Sequence, residues 1–319
     1  MQTSAKLIEA EHAIGLNEIP SNFLEASIGN TPLIRLRKVI GNLPENVVVL
    51  AKAEHLNPGG SVKDRAALAM ILAAQSSGEL TKDRTILDAT SGNTGIAYAM
   101  LAAARGYSVT LALPRNASES RKQILRAYGA ELVETDWMNG TDGAQLEARK
   151  LAAAYPDKYV YLDQYNNAAN WQVHYSTTGP EIWRQTNGLV THFIAGLGTT
   201  GTFVGTARRL KELNPDIQAI SMQPESPLHG LEGLKHLGTA IVPGIYDPLL
   251  ANANVVVSTE DAHTMTRRLA REEGLFVGVS SGANVYAAVR LATKSKGDAV
   301  IVTVLPDGGE KYLRETFWG

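Results

Sequence analysis

Residues Thr85 to Arg105 read TILDATSGNTGIAYAMLAAAR. The opening run, Thr85 to Ala89, suits a strand covered on both faces, and Thr94 to Arg105 is an Ala/Leu-rich helix. A short loop of Thr, Ser, Gly and Asn joins them. The same strand, loop and helix alternation recurs along the chain. Further strand candidates are Val47 to Ala53, Ser108 to Leu113, Tyr159 to Asp163, Thr191 to Ala195, Ile217 to Met222 and Ala299 to Leu305. Helical patterns fill the intervals, among them Arg65 to Ser77, Ala144 to Ala154 and Phe203 to Leu213. This predicts an α/β fold of two doubly wound domains with mainly parallel sheets. Residues 1–166 and 167–319 each carry such a series, which places a domain boundary near residue 166. The first twenty residues read as a loosely attached arm.

Composition excludes several classes. The chain has 319 residues, 19% of them charged, with a formal net charge of -2. That balance predicts no nucleic acid and no anionic membrane as partner. No apolar run is long enough to cross a bilayer, and the N-terminal segment carries glutamates rather than an apolar core, so it does not read as a signal peptide. There is no cysteine, which removes disulfides, thiolate metal ligands and thiol nucleophiles. The seven histidines form no metal-binding pattern, and no metal is expected. A large, disulfide-free, untargeted chain is expected in the cytoplasm.

In open α/β sheets, ligands bind beyond the carboxyl ends of the strands. Four polar loops fall there. Gly196-Leu-Gly-Thr-Thr-Gly-Thr202 precedes a helix, so its amides and hydroxyls suit a phosphate. The loop also matches G-x-G-x-x-G, with Glu225 at a distance that suits a ribose hydroxyl. On its own it therefore also admits a dinucleotide and an NAD-dependent dehydrogenase. Thr90 to Gly95 follows one strand and Gln164 another. Asn57-Pro-Gly-Gly-Ser-Val-Lys-Asp-Arg65 puts Lys63 at a helix start, where a lone lysine is ordinarily solvated.

Taken together these segments resemble a known family. Glu54 to Arg65 looks like the Schiff-base lysine segment of fold-type II pyridoxal-phosphate enzymes, Thr90 to Gly95 like their substrate-carboxylate loop and Gly196 to Thr202 like their phosphate loop. Ser280-Ser-Gly-Ala283 is similar to their pyridine-nitrogen segment. Gly29-Asn-Thr-Pro-Leu33 and Thr177 to Trp183 also resemble cysteine synthases (O-acetylserine sulfhydrylases). The resemblance runs from about Ile28 to Tyr312, in the family's order and spacing. A dehydrogenase offers no reason for the Lys63 and Thr90 segments. A non-catalytic amino-acid binder offers none for keeping the lysine.

The resemblance implies pyridoxal 5'-phosphate as cofactor and specific roles for residues. Lys63 would hold the cofactor and act as base on the substrate α-carbon. Asn93 would meet the cofactor's ring oxygen, and Gly198, Thr199, Thr200, Gly201 and Thr202 its phosphate. Ser280 would meet its pyridine nitrogen, unless Asp307 does so instead. Thr90, Ser91, Gly92, Thr94 and Gln164 would hold the amino acid's carboxylate. It also implies ping-pong β-replacement. O-acetylserine or O-phosphoserine loses its substituent to leave an aminoacrylate, and sulfide or another sulfur donor adds to give L-cysteine or an analogue. Cystathionine β-synthase-like replacement is the neighbouring alternative. The partners implied are the small amino-acid substrate and sulfur donor and a second copy in a homodimer. Thr200, where the commonest cysteine synthases have glycine, and the departing segment Pro224 to Leu237 resemble the B-type branch. Lys235 and His236 in that segment read as a solvated loop or as contacts for a charged donor. No regulatory domain is expected after Tyr312.

Overall fold

The computed structural model describes residues 23–90 and 92–318. The N-terminal arm and Ser91 therefore lie outside the described residues. Ten strands form two sheets. The smaller contains β3 (Thr85–Ala89), β4 (Ser108–Pro114), β5 (Glu131–Thr135) and β6 (Tyr159–Tyr161), in the order β5-β4-β3-β6 and parallel throughout. The larger contains β1 (Leu33–Arg35), β2 (Val47–Lys52), β7 (His192–Gly196), β8 (Gln218–Pro224), β9 (Ala253–Val257) and β10 (Ala299–Val304). Its order is β1-β2-β10-β7-β8-β9, and only the β1–β2 edge is antiparallel. The α/β fold with mainly parallel sheets is as the alternation predicted. The larger sheet draws strands from both sides of residue 166, with β1 and β2 from before it.

The continuous apolar runs have a direct cause, since both faces of the larger sheet are covered. Ile194 and Ile301 pack on one face with Met222 and Val285, while Phe193, Ala195 and Val302 pack on the other with Phe203 and Leu210. Phe193 stacks on Phe203 at 6.4 Å between ring centres. Burial of each such side chain contributes about 1.5–3 kcal/mol. In the smaller sheet, Ile86 and Leu111 face Met70 and Leu101, whereas Leu87 and Ala112 face Ala144 and Ala148. Parallel pairing sends all these strands the same way within each sheet, so their C-terminal ends gather the polar loops at one edge.

Candidate active site

Apart from that of Ser280, each candidate segment leaves the end of a strand. After β2 the chain makes a short turn, Glu54–Leu56, and runs through Asn57 to the helix Lys63–Ser76. The Val62 amide donates to the Pro306 carbonyl at 2.8 Å, and Ser61 bridges to Asp307, which pins this segment against the exit from β10. The helix Asn93–Arg105 starts just beyond β3, and Gly201–Leu213 just beyond β7. The helix Val279–Ala292 brings Ser280 to the same place.

These segments enclose a cleft of two joined lobes. One is lined by Lys63, Thr90, Gly92, Asn93, Thr94 and Gln164, the other by Lys63, Asn93, Gly198, Thr199, Thr200, Thr202 and Ser280. Lys63, Asn93, Gly198 and Thr199 belong to both. Every described candidate except Gly201 therefore faces the cleft. Gly201 starts the helix behind it, where an added Cβ would come within 2.1 Å of Asn170 Oδ1. Glu225, which the dinucleotide reading required, is exposed at the end of β8 and lines neither lobe.

The cleft is rich in polar groups without partners. Lys63 is half-buried, and its amine has no hydrogen bond or ion pair among the described residues. Desolvation lowers its pKa, with Asp307 pulling the other way. That balance favours the nucleophilic free amine. Thr200 Oγ1 and Asn93 Oδ1 are buried and unpaired. Thr200 also sits at φ +73°, a strained left-handed conformation for a β-branched residue. The four helices that begin at Lys63, Asn93, Gly201 and Val279 have no side-chain cap. The Lys63 amide is taken by Ser61 Oγ and the Gly95 amide by Thr90 Oγ1, whereas no partner among the described residues holds the first amides of the helix from Gly201, which suit an anion.

The carboxylate side is more ordered. Thr90 Oγ1 accepts from the amides of Gly92 at 3.1 Å and Gly95 at 3.2 Å, leaving its own proton to donate. Thr94 donates to Gln164 Oε1 at 2.7 Å, and Gln164 Nε2 donates to the Ala89 carbonyl at 2.6 Å. Behind them Asp88 accepts from Tyr98 at 2.8 Å and from the Gln164 amide at 3.2 Å. Burial pushes its carboxyl up to about 7.

Ser280 and Asp307 differ in how committed they are. Ser280 lines the cleft, and its hydroxyl has no partner among the described residues. Asp307 lines neither lobe and accepts from Asn93 Nδ2 at 2.7 Å and the Tyr312 hydroxyl at 2.6 Å.

Several residues at the site carry no legible signal in the sequence. Arg121 reads as part of an ordinary charged helix, yet it is 3% exposed and lines the cleft. Glu232, Tyr165 and Tyr312 join it there. Lys235 is not solvated: it is buried and paired with Asp142 at 2.7 Å, and it lines the cleft, whereas His236 does not. His174, on a π-turn, is fully buried behind the phosphate loop. It meets Thr202 Oγ1 at 3.3 Å and Thr178 Oγ1 at 2.9 Å. Burial pushes its imidazole down to about 3, so it stays neutral.

Gly29 to Leu33 and Thr177 to Trp183 turn out to build the floor beneath Lys63. Arg65 donates to Glu54 at 2.8 Å, to Glu181 at 2.7 Å and to Thr177 at 3.0 Å. Lys52 pairs with Glu181 at 2.6 Å, and Thr31 donates to Glu54 at 2.6 Å. Burial alone would raise both carboxyls, but Arg65 more than offsets it. Glu54 is lowered, and Glu181 falls to about 2.

An α/β cleft with a desolvated, unpartnered lysine between an uncapped phosphate loop and a carboxylate loop defines a class of cofactor enzyme. Residues 24–307 match the family model described as pyridoxal-phosphate dependent enzyme. The chain is 55% identical over 290 residues to a cysteine synthase of Aquifex aeolicus, covering 90% of this chain and 89% of that protein. It is 43% identical to cysteine synthase B of Escherichia coli, covering 93% and 96%. Its fold is similar to the crystal structure of a cysteine synthase from Entamoeba histolytica, with a TM-score of 0.88 and 34% identity, covering 92% and 90%. The chain belongs to the pyridoxal-phosphate dependent enzymes, in their cysteine synthase family.

Proposed function

We propose that this chain forms L-cysteine, or a close analogue, by replacing the β-substituent of O-acetylserine or O-phosphoserine with sulfide or a related sulfur donor. The observation that carries the reading is the Lys63 amine, desolvated and unpartnered where the two lobes meet. Pyridoxal 5'-phosphate bound there supplies the electron sink that acidifies the amino acid's α-carbon and lets the β-substituent leave. The unpaired Thr200 hydroxyl and Asn93 carbonyl, with the uncapped helix starts, suit such a polar, anionic group.

The chain's residues do the rest. Gly198, Thr199, Thr200, Gly201 and Thr202 would hold the phosphate, with neutral His174 steadying Thr202. Asn93 would bind the ring oxygen. Ser280 would donate to the ring nitrogen without protonating it. Thr90, Gly92, Thr94 and Gln164, with Ser91 by sequence alone, would grip the carboxylate and orient the α-carbon. Lys63 Nζ would take the proton from that carbon and later return one. The carboxylate grip comes from the smaller sheet's loops, and the phosphate grip from the larger sheet's. A donor held by both closes the cleft and keeps water from the reacting carbon. This two-sided arrangement is the working sense of the 1–166 and 167–319 division, with β1 and β2 lent to the larger sheet. No helix among the described residues is long and apolar enough to cross a membrane. A cytoplasmic homodimer is the setting we infer.

The direct test is the purified yellow holoenzyme with O-acetylserine and sulfide, assayed for released cysteine. A protein that binds the cofactor yet makes no cysteine from either activated serine ends this reading.

A further inference from the structure

Two cations line the reaction lobe, Arg121 and Lys235, and each is held by a carboxylate from elsewhere in the chain. Arg121 lies in the helix Glu119–Ala127, beside the smaller sheet, and its partner Glu232 follows β8 of the larger one. Arg121 stands directly against the carboxylate loop. A Cβ on Gly92 would lie 3.0 Å from its Cδ and 3.3 Å from its Nε. Its guanidinium carbon sits 5.0 Å from the centre of the Tyr312 ring.

The pairing is incomplete. A guanidinium has five donors. Among the described residues Glu232 engages only Nη1, and Nε is buried with no partner. The two ends of the pair also differ in exposure. The Arg121 side chain is 4% exposed, whereas that of Glu232 is 36% exposed. The carboxylate therefore has water to turn into once another anion takes its place, while the guanidinium stays enclosed. An anion of the right size would then find a fixed fork of donors, the geometry that suits a phosphate or carboxylate best.

We propose that Arg121 is a specificity-determining residue: it recognises an anionic β-substituent on the donor amino acid, and Glu232 is the counter-ion which that substituent displaces. This rests on the β-replacement reading. With the donor's carboxylate at Thr90 and Thr94 and its α-carbon at Lys63, the β-substituent is the part left to meet Arg121 in the same lobe. A doubly charged phosphate ester gains from this exchange, because it brings more charge and more acceptor oxygens than Glu232 gives up. A neutral acetyl ester gains much less.

The experiment uses the holoenzyme, whose own phosphate loop is filled, and compares kcat/KM for O-phosphoserine and O-acetylserine. Calorimetric titration with inorganic phosphate runs alongside. Arg121→Gln should lower the phospho-to-acetyl ratio about tenfold or more, the scale of one lost charge-assisted contact, and weaken phosphate binding in parallel. Arg121→Lys should restore part of both. Glu232→Gln should raise the ratio several-fold and tighten phosphate. It sits at the wetter side of the cleft, so it keeps the idea testable if Arg121→Gln does not fold. Equal losses for both donors overturn the proposal, as does an effect confined to the KM for sulfide or a ratio that answers only to Lys235→Ala. A wild-type enzyme that makes cysteine from neither donor defeats the wider reading instead. The phosphate titration still decides Arg121 in that case, because it needs no turnover.

Discussion

Two buried polar regions meet at Lys63, and they are built on opposite terms. In the floor, Lys52, Glu54, Arg65 and Glu181 satisfy one another, with Thr31 and Thr177 completing the set. In the cleft, Thr200 Oγ1, Asn93 Oδ1 and Arg121 Nε have no partner, and four helix starts lack caps. Side-chain caps do occur elsewhere, as Ser258 caps Thr259–Arg268 and Asn167 caps Ala168–Val173, although Glu119–Ala127, Gly140–Ala154 and Gly179–Gln185 lack them too. A buried polar group left unpaired costs about 1–3 kcal/mol. A chain bears that cost where a ligand is meant to supply the partner. The saturated region holds the lysine in place, and the unsaturated one waits for what the lysine binds.

The difference is broken most severely by removing the residue the two regions share. Lys63→Ala should lower cysteine formation by about three orders of magnitude or more, since a general base alone contributes about 10²–10⁴. Borohydride reduction of the wild-type holoenzyme should fix the cofactor to the peptide containing Lys63. Attachment to another lysine would remove this residue from the centre of the account. Thermal stability should change little in the variant, because the Lys63 side chain takes no part in the floor.

Breaking the floor should do the reverse. Glu181→Gln leaves Lys52 and Arg65 short of a charge at 2.6 and 2.7 Å. Loss of one partner from a buried pair costs about 3–5 kcal/mol. The sign with pH is definite. The Glu181 carboxyl lies at about 2 in the fold, below its ordinary value of 4.5. Its contribution is therefore present above about pH 4.5 and lost as the pH falls toward 2. Denaturant titrations should show wild type and variant well apart at pH 7, with the gap narrowing steadily below about pH 4.5 toward pH 2. A constant gap across that range would mean that the network owes its strength to packing alone.

The same contrast explains what the sequence made legible. Central strands were readable because both faces are covered, so β3, β4, β7 and β10 appear as predominantly apolar runs, broken only by single residues such as Asp88, Thr110 and Thr303. The strands with no such signal, β1, β5 and β9, are sheet edges. Glu131-Leu-Val-Glu-Thr135 and Ala253-Asn-Val-Val-Val257 are partly exposed and carry polar residues or little periodicity. At the site, the backbone-driven parts were legible, since glycines and hydroxyls in loops after strands form local patterns. Arg121 and Glu232 are 111 positions apart and meet only in three dimensions, so no local pattern marks them. The floor was visible as motifs but not as a network, because Gly29 to Leu33 and Thr177 to Trp183 declare their purpose only when Arg65 lies between them.

A milder test separates the two sides of the cleft. Thr94→Ala removes the donor to Gln164 Oε1 and leaves the phosphate loop untouched. The KM for O-acetylserine should rise about tenfold, the value of roughly one hydrogen bond to a charged group, while the resting visible spectrum stays the same. A spectrum altered by Thr94→Ala would place this loop against the cofactor rather than the substrate.

The finest distinction lies between Ser280 and Asp307, one free and one committed. Asp307 is held by Asn93 and Tyr312, and its charge favours the protonated form of the Lys63 amine against desolvation. Asn93 and Tyr312 both donate to Asp307 Oδ2, so in Asp307→Asn an amide oxygen at that position can still accept from both. The substitution therefore removes charge with little change of shape. Without that charge desolvation acts unopposed, so the pKa of Lys63 should drop further. The neutral amine then predominates at lower pH. The rate at which apo-protein captures pyridoxal phosphate, followed by growth of the visible band, should consequently keep its shape against pH and move toward acid. Ser280→Asp should leave that profile near its original position, because on the proposed reading the serine would meet the ring nitrogen rather than the amine, and should instead alter the bound cofactor's spectrum. If the capture profile stays fixed in Asp307→Asn while the spectrum changes, then Asp307 rather than Ser280 meets the nitrogen, and the roles of the free and the committed residue are exchanged.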